Sequence, residues 1–474
     1  MKAICASLLM ALFLALPPTA WASTTWYVNS TTGSDNNDCK SPTTACKTIG
    51  HAISLAASGD SISVAAATYT ENLTIGISLK ILGTNASTTI VDGGGVNSVV
   101  TISSGTVTLS NLTIRNGDAP FGGGIFNNGT LGIIGSTVSG NIAAFGGGIF
   151  NNGTLRINHS TLSGNIAEQV SNSSAGGGIY NSGSLTINES NISGNTSGKA
   201  NASTGSGGGI YNHGVSTIIS SAISGNQVVG ACLNLFFQVL CYGGGISSDN
   251  VLTINNSTVS NNTAGSIFSH SSGIGGGIST QAGTLTISNT TLNGNAAVGV
   301  EGKGGGISQS SGTATLQNTI VANSTMGGNC SGTMTSNGYN LSSDGTCNFN
   351  NTGDLNNTDP KLGPLQNNGG PTQTQALLPG SPAIDAGNPS GCTDSSGSLL
   401  KTDQRGAPRP DKEDSGGCDM GAYESQTDNV DFLYEQLQFA APPVCYPRNH
   451  ECGLDEKCCP GLRCWRVGHG GICF

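Results

Sequence analysis

Gly-Gly-Gly-Ile occurs seven times in this chain, ending at Ile125, Ile149, Ile179, Ile210, Ile246, Ile278 and Ile307. Each copy opens a similar phrase, clearest from Gly146 to Ala167, in which short apolar alternations such as Leu155-Arg-Ile157 and Thr161-Leu162-Ser163 are divided by Gly and Asn. Alternation of this kind is strand periodicity, and the Gly and Asn are corners. A unit so short cannot bury its own apolar face, so copies must stack and share one core. Three short strands per turn, wound parallel, make an all-β right-handed parallel β-helix, with each Gly-Gly-Gly-Ile isoleucine pointing inward above its predecessor.

The period is not fixed. Successive isoleucines stand 24, 30, 31, 36, 32 and 29 residues apart, and nearly all the variation lies between the Asn corner (Asn141, Asn165, Asn195, Asn226, Asn262, Asn295) and the next triple glycine. Insertions that recur at one corner pile up on one flank, which in repeat proteins is often the binding face. The largest, Val228 to Tyr242, is apolar where surface loops are normally polar. Leu235, Phe236, Phe237, Val239, Leu240 and Tyr242 are therefore candidate contact residues.

With 73 Gly and 9% charged residues the chain is unlike an ordinary globular domain, yet it keeps 36% hydrophobic residues in regular spacing, which argues against disorder. Asn, Ser and Thr recur at equivalent positions and can form hydrogen-bonded ladders. A formal charge of −10 without basic stripes argues against nucleic acid as a partner.

Residues 1–22 read as a secretory signal peptide, with Lys2, an apolar Ile4 to Leu16 and a small-x-small site at Ala20-Trp-Ala22, after which cleavage is expected. No other segment is long and apolar enough for a membrane span. Without Cys5 an even set of cysteines remains, and in an exported chain these point to disulfides. Local pairs are Cys39 with Cys46, Cys232 with Cys241, Cys330 with Cys347 and Cys392 with Cys418. The other six, Cys445, Cys452, Cys458, Cys459, Cys464 and Cys473, crowd the C-terminus. None has a metal-binding spacing, and no cofactor is expected.

Residues 23–70 read as an N-terminal cap in which Ile49, Ala52, Ile53 and Ala56 have helical spacing and Gly59 ends the helix. Coils of the solenoid occupy 71–329 and its C-terminal coils 330–424, roughly ten coils rising about 50 Å at the inter-strand spacing. A linker at 425–444 includes the stiff Ala-Ala-Pro-Pro, and 445–474 form a small disulfide-held unit, since thirty residues cannot build a sufficient core. Six cysteines allow fifteen connectivities.

Leu365 to Gly387 (with Gln-Asn-Asn-Gly-Gly-Pro-Thr and Gly-Ser-Pro-Ala-Ile-Asp-Ala-Gly), Thr402-Asp-Gln-Arg-Gly406 and Cys418-Asp-Met-Gly-Ala-Tyr-Glu424 resemble the choice-of-anchor Q region of exported bacterial β-helix proteins. The Gly-Gly-Gly-Ile-Phe-Asn units are similar to the repeats of polymorphic outer-membrane proteins. Together they imply a secreted or surface solenoid and no particular reaction. The tail, with Cys-Cys-Pro-Gly-Leu-Arg-Cys-Trp465, resembles inhibitor cystine knots of spider-toxin type. That resemblance implies Cys445–Cys459, Cys452–Cys464 and Cys458–Cys473.

For chemistry, β-helix lyases and glycosidases need clustered carboxylates with a cation nearby. Between 100 and 325 the charges are Arg115, Asp118, Arg156, Glu168, Glu189, Lys199, Asp249, Glu301 and Lys303, at unrelated repeat positions, and His159, His213 and His270 have no acid beside them in sequence. A denser set, Asp385, Asp403, Arg405, Asp419 and Glu424, is either a structural network or a site, with the network favoured. Arg463, Trp465 and Arg466 are candidate anchors in the tail. The expectation is a non-enzymatic secreted or surface protein for adhesion or recognition of a protein or glycan on a cell. The alternatives are a pectin-lyase-like carbohydrate lyase or hydrolase, and a carrier of a toxin-like or inhibitory knottin.

Overall fold

A computed structural model describes residues 23–426 except 169–172, 200–204, 231–238, 267–270 and 412–416, together with short strands of the tail. The chain divides into two compact units, one of Met1–Ser216 with Asn226–Cys241, the other of Thr217–Gly225 with Tyr242–Phe474.

The first unit begins with the strand Thr25–Val28, which pairs in parallel with Ser61–Val64. The helix between them, Ile49–Leu55, buries Ile49 and Ala52 and stops before Gly59, because Ala56 is already extended. Thr48 caps it by accepting from the His51 N–H, and the Glu71 carboxylate accepts from Ile49 and Gly50 N–H, so the orphan donors of the first turn are satisfied. The Cys39–Cys46 disulfide forms as expected.

From there the coils stack in parallel. Sheet A of this unit includes Thr106–Ser110, Thr130–Ile134, Thr154–Asn158 and Ser184–Asn188, and sheet B includes Thr113–Arg115, Thr137–Ser139, Thr161–Ser163 and Asn191–Ser193. Sheet C runs through Leu73–Ile75, Val100–Ile102, Ile125–Asn127, Ile149–Asn151, Ile179–Asn181 and Ile210–Asn212. Ile125, Ile149, Ile179 and Ile210 lie in register and are fully buried. The expectation of three strands per turn needs correcting, because a fourth sheet, D, stands between B and C. Asp118–Phe121 pairs with Ile142–Phe145, and beyond that the sheet forks into paths through Ile166–Ala167 and Ser174–Ala175. The insertions leave the coil at this fork, so length drift is confined to one flank.

Packing explains the triple glycine. Gly146 has φ +65°, and a Cβ on Gly147 would lie 2.4 Å from Ile166 O and 2.6 Å from Gly177 O. The chain turns and touches the next coil where no side chain fits. The Asn corner is equally determined: Asn141, Asn165, Asn195 and Asn226 are fully buried and pass hydrogen bonds Nδ2 to Oδ1 up the stack, each 2.9 Å.

In the second unit, Ile246, Ile278 and Ile307 stack inward in the same way. Its sheet B, with Ala222–Ser224, Thr258–Ser260, Thr291–Asn293 and Ile320–Ala322, is covered on its outer face by the C-terminal segment. Thr258 Oγ1 donates to Gln404 Oε1 (2.6 Å), Ala422 N to Thr291 Oγ1 (3.1 Å) and Asn318 Nδ2 to the Asp419 carbonyl (2.9 Å). Cys330–Cys347 and Cys392–Cys418 form as expected. Cys241 is buried, and its expected partner Cys232 lies outside the described residues.

In the tail, Glu451–Cys452 and Cys464–Val467 flank Gly470–Cys473 in an antiparallel sheet, and Cys445–Tyr446 pairs with Lys457–Cys458. Its side chains, and so the expected cystine pairing and the anchors Arg463, Trp465 and Arg466, lie outside the described residues. No helix among the described residues is long and apolar enough to cross a membrane.

Candidate functional site

The position after each sheet C isoleucine points outward, and in the first unit it carries Phe126, Phe150, Tyr180 and Tyr211. In-register parallel pairing sets these half-buried rings one above another. Centroids are 5.6 Å apart for Phe126 and Phe150, 4.7 Å for Phe150 and Tyr180, and 5.1 Å for Tyr180 and Tyr211, with interplanar angles of 13°, 9° and 29°. Sheet D contributes a shorter column beside it. Phe121 stacks on Phe145 at 5.8 Å and meets Phe150 edge-on at 5.1 Å, while Phe145 meets Tyr180 edge-on at 5.7 Å. Six aromatic rings thus line one corner, in a chain that is only 5% aromatic.

At the head of the column, where Phe126 pairs with Thr101 and Thr101 with Thr74, the corner opens into a pocket of about 380 Å³. It is lined by Thr74, Thr101 and Phe126 of sheet C, by Pro120 and Phe121 of sheet D, and by the polar side chains Asn72, Asn97 and Ser98. Ser98 Oγ donates to Phe121 O (3.1 Å) and Asn72 Nδ2 to Ser98 O (3.1 Å), which tie these residues together. Among the described residues, no hydrogen bond engages the side-chain amide of Asn97 or the hydroxyls of Thr74 and Thr101. Phe121 is 45% exposed, an unusual position for a large apolar ring within a cluster of five others. An apolar surface with a few convergent amides and hydroxyls is the make-up of a small-ligand site.

In the second unit the equivalent outward position holds Ser247, Ser279 and Ser308, which are buried, so the aromatic column belongs to the first unit. Of the loop residues expected to make contacts, Leu235, Phe236 and Phe237 lie outside the described residues. Val239–Tyr242 is a strand in which Leu240 and Tyr242 are half-buried.

The charges of the solenoid also need correcting, since several do pair. His159 Nε2 meets a Glu189 carboxylate oxygen, Lys199 Nζ lies 3.2 Å from Glu168 Oε1, and Arg115 Nε lies 2.9 Å from Asp92 Oδ2. Partners sit at matching corners of adjacent coils and are therefore distant in sequence. All three pairs are partly exposed ion pairs of small energetic weight. Burial raises the Asp92 carboxyl, but hydrogen bonds from Asn116, Gly94 and Arg115 outweigh it and hold it below its ordinary value.

The dense C-terminal set resolves into a buried network. Arg409, absent from the expected set, is its hub: Nε donates to Glu424 Oε2 (2.6 Å), Nη1 to Asn256 Oδ1 and Nη2 to Gly421 O. Arg405 bonds Asp403 (2.6 Å) and lies 3.6 Å over the Tyr423 ring. Asp385 is exposed and joins only through its backbone N–H, which donates to Asp419 Oδ1 (2.8 Å). Burial first, and the Glu424 charge second, push the Asp419 carboxyl up to about 7. With Asp403, Arg409, Asp419 and Glu424 all buried, these charges hold one another and close the segment onto sheet B.

No protein-family model matches this chain, and no curated protein does. The anchor-region, repeat and knottin resemblances therefore stand on their motifs alone. Among solved structures the chain is similar to the pectate lyase Pel9A (13% identity, 85% of this chain and 96% of that one, TM-score 0.40). It is also similar to the pectin methylesterase PemA from Erwinia chrysanthemi (14%, 53% and 81%, TM-score 0.33) and to a GH136 lacto-N-biosidase from Eubacterium ramulus (11%, 67% and 64%, TM-score 0.30). These likenesses concern the fold, a pectin-lyase-like parallel β-helix, and at such identity they transfer no reaction. The expectation of a non-enzymatic protein is corrected all the same: these three solved structures are of enzymes by name, and the ground for that expectation, charges at unrelated positions of the sequence, is removed by the inter-coil pairs, in which charges far apart in the chain become neighbours in the fold.

Proposed function

We propose that this protein is a carbohydrate-active β-helix that holds a glycan in the aromatic corner between sheets C and D of its first unit. The observation that carries this reading is the column Phe126, Phe150, Tyr180 and Tyr211, with Phe121 beside it and an amide- and hydroxyl-rimmed pocket at its head. Sugars present apolar C–H patches edged by hydroxyls, and an aromatic surface edged by Asn, Ser and Thr complements both. The disulfides Cys39–Cys46, Cys330–Cys347 and Cys392–Cys418 support an exported protein, where such ligands are met.

The test is retention on immobilised polysaccharides of several classes, with wild type compared to Phe121→Ser. Phe121 is exposed, so the substitution should leave the melting temperature within a few degrees while reducing retention. Equal retention of the two proteins would reject the corner as the site.

A second reading, cleavage of the held chain, is favoured by Asp118, an exposed carboxylate next in the chain to Ala119 of the pocket lining. Release of reducing ends or unsaturated products by wild type and not by Asp118→Asn would establish it. No product from any glycan that binds would remove it.

A further inference from the structure

The aromatic column does not offer its ring faces equally. Centroid spacings of 4.7 to 5.6 Å at interplanar angles of 9° to 29° leave no space between rings, so Phe150 and Tyr180 are sandwiched and turn only edges outward. Phe126 is different. Phe150 covers one side of it, but on the other its register neighbour is Thr101, with Thr74 beyond, and there the pocket opens. An electron-rich ring face, the feature that attracts the weakly positive C–H face of a sugar, is therefore available at the pocket and not at Phe150 or Tyr180 behind it.

The lining is also selective. All ten residues around the pocket, including Asn72, Thr74, Asn97, Thr101 and Phe126, are uncharged, and the nearest charges along the chain, Glu71 and Asp118, are acidic. A uronate would lose hydration and meet no cation, whereas a neutral sugar could donate to Asn97 Oδ1 and to the threonine hydroxyls.

Resting on the glycan reading above, we propose that this pocket seats one neutral sugar residue, its C–H face on Phe126, and that the rings behind it are a support and not a track for the chain. The ligand class is thus neutral glycans, distinct from the acidic pectic chains that the names of two structural neighbours evoke.

The experiment is calorimetric titration of the full chain with neutral gluco-, galacto- and manno-configured disaccharides and tetrasaccharides, and with galacturonate oligomers of the same lengths. At least one neutral disaccharide should bind, its tetrasaccharide within about twofold of it, and galacturonates about tenfold or more weaker. Thr101→Trp, which fills the pocket, and Asn97→Gly, which removes the amide yet suits the positive φ there, should each weaken binding about tenfold and by more than Tyr180→Leu does. Circular dichroism identifies any variant that fails to fold, and Asn97→Gly then carries the test alone. Galacturonate binding as tightly as the neutral sugars, or loss on Tyr180→Leu with none on Asn97→Gly, would overturn this proposal and leave the corner as a glycan site. Failure of every saccharide to bind would overturn the glycan reading itself.

Discussion

Replacing Asn165 by alanine should be among the most damaging single changes in the first unit. The residue is fully buried at the corner of its coil. Its Nδ2 donates to Val138 O and Asn195 Oδ1, both at 2.9 Å, and its Oδ1 accepts from Asn141 N (3.2 Å) and Asn141 Nδ2 (2.9 Å). The variant loses all of these and strands the Asn141 backbone N–H away from water. At about 1 kcal/mol net for each of the three side-chain amide bonds and about 1–3 kcal/mol for the stranded Asn141 N–H, the cost should be about 4–6 kcal/mol. The matched control is Asn152→Ala. Asn152 is in the same coil and also bonds across coils, through Nδ2 to Asn128 Oδ1 (2.9 Å), but on the exposed surface, so its loss should cost less than about 0.5 kcal/mol. Guanidinium unfolding followed by circular dichroism would read both, and the slope as well as the midpoint should be compared because a solenoid can lose cooperativity. An Asn165→Ala midpoint no lower than that of Asn152→Ala would refute the argument that the buried ladder carries the corner.

Other expectations follow from the same geometry. Gly147→Ala drives a methyl to 2.4 Å from Ile166 O and should destabilise by about 3 kcal/mol or more, visible as a lowered melting temperature or loss of soluble protein. Removing the Cys392–Cys418 bridge with a double serine variant opens a loop closed across 26 residues and should cost about 3.5 kcal/mol in the chain-entropy account, read from unfolding of oxidised wild type and variant. Asp419, with its folded pKa raised to about 7, contributes stability that is complete below its unfolded value near 4 and is lost as pH rises through about 7. Asp344 and Asp394, whose pKa values are lowered, act oppositely and lose their contribution as pH falls below about 4. Comparing Asp419→Asn with wild type isolates the first effect: the difference in melting temperature should move in favour of the variant between pH 5 and about 8, and a pH-independent difference would contradict it.

Much of the fold is legible in the letters because a stacked repeat writes its register into the chain. The triple glycine marks where coils touch, the isoleucine after it marks the inward face, and the spread of spacings marks the corner that tolerates insertion. Sheet D escapes this reading, since Ile142-Ala-Ala-Phe145 is too short to display a period and is split by insertions in later coils. Contacts between coils are legible only once the register is known. His159 with Glu189, and Arg409 with Asn256, are separated in sequence by whole repeats or more. The candidate site did leave a signal, in the succession Ile-Phe-Asn, Ile-Phe-Asn, Ile-Tyr-Asn, Ile-Tyr-Asn that gives way to Ile-Ser. Within one repeat an aromatic at that position is unremarkable, and only aligned copies turn it into a column. The pocket had no such signal, because Asn72, Asn97, Thr101 and Phe121 come from three successive coils and a sheet that the periodicity hides.

Whether a sugar sits against Phe126 at the head of the aromatic column is measured directly by a crystal structure of the full chain soaked with the tightest-binding neutral disaccharide. One sugar ring should lie parallel to the Phe126 face, between Phe121 and the side chains of Asn72, Asn97 and Ser98, with hydrogen bonds to Asn97 or Thr101. A saccharide bound along the edges of Tyr180 and Tyr211, or anywhere in the second unit with this pocket empty, would contradict it.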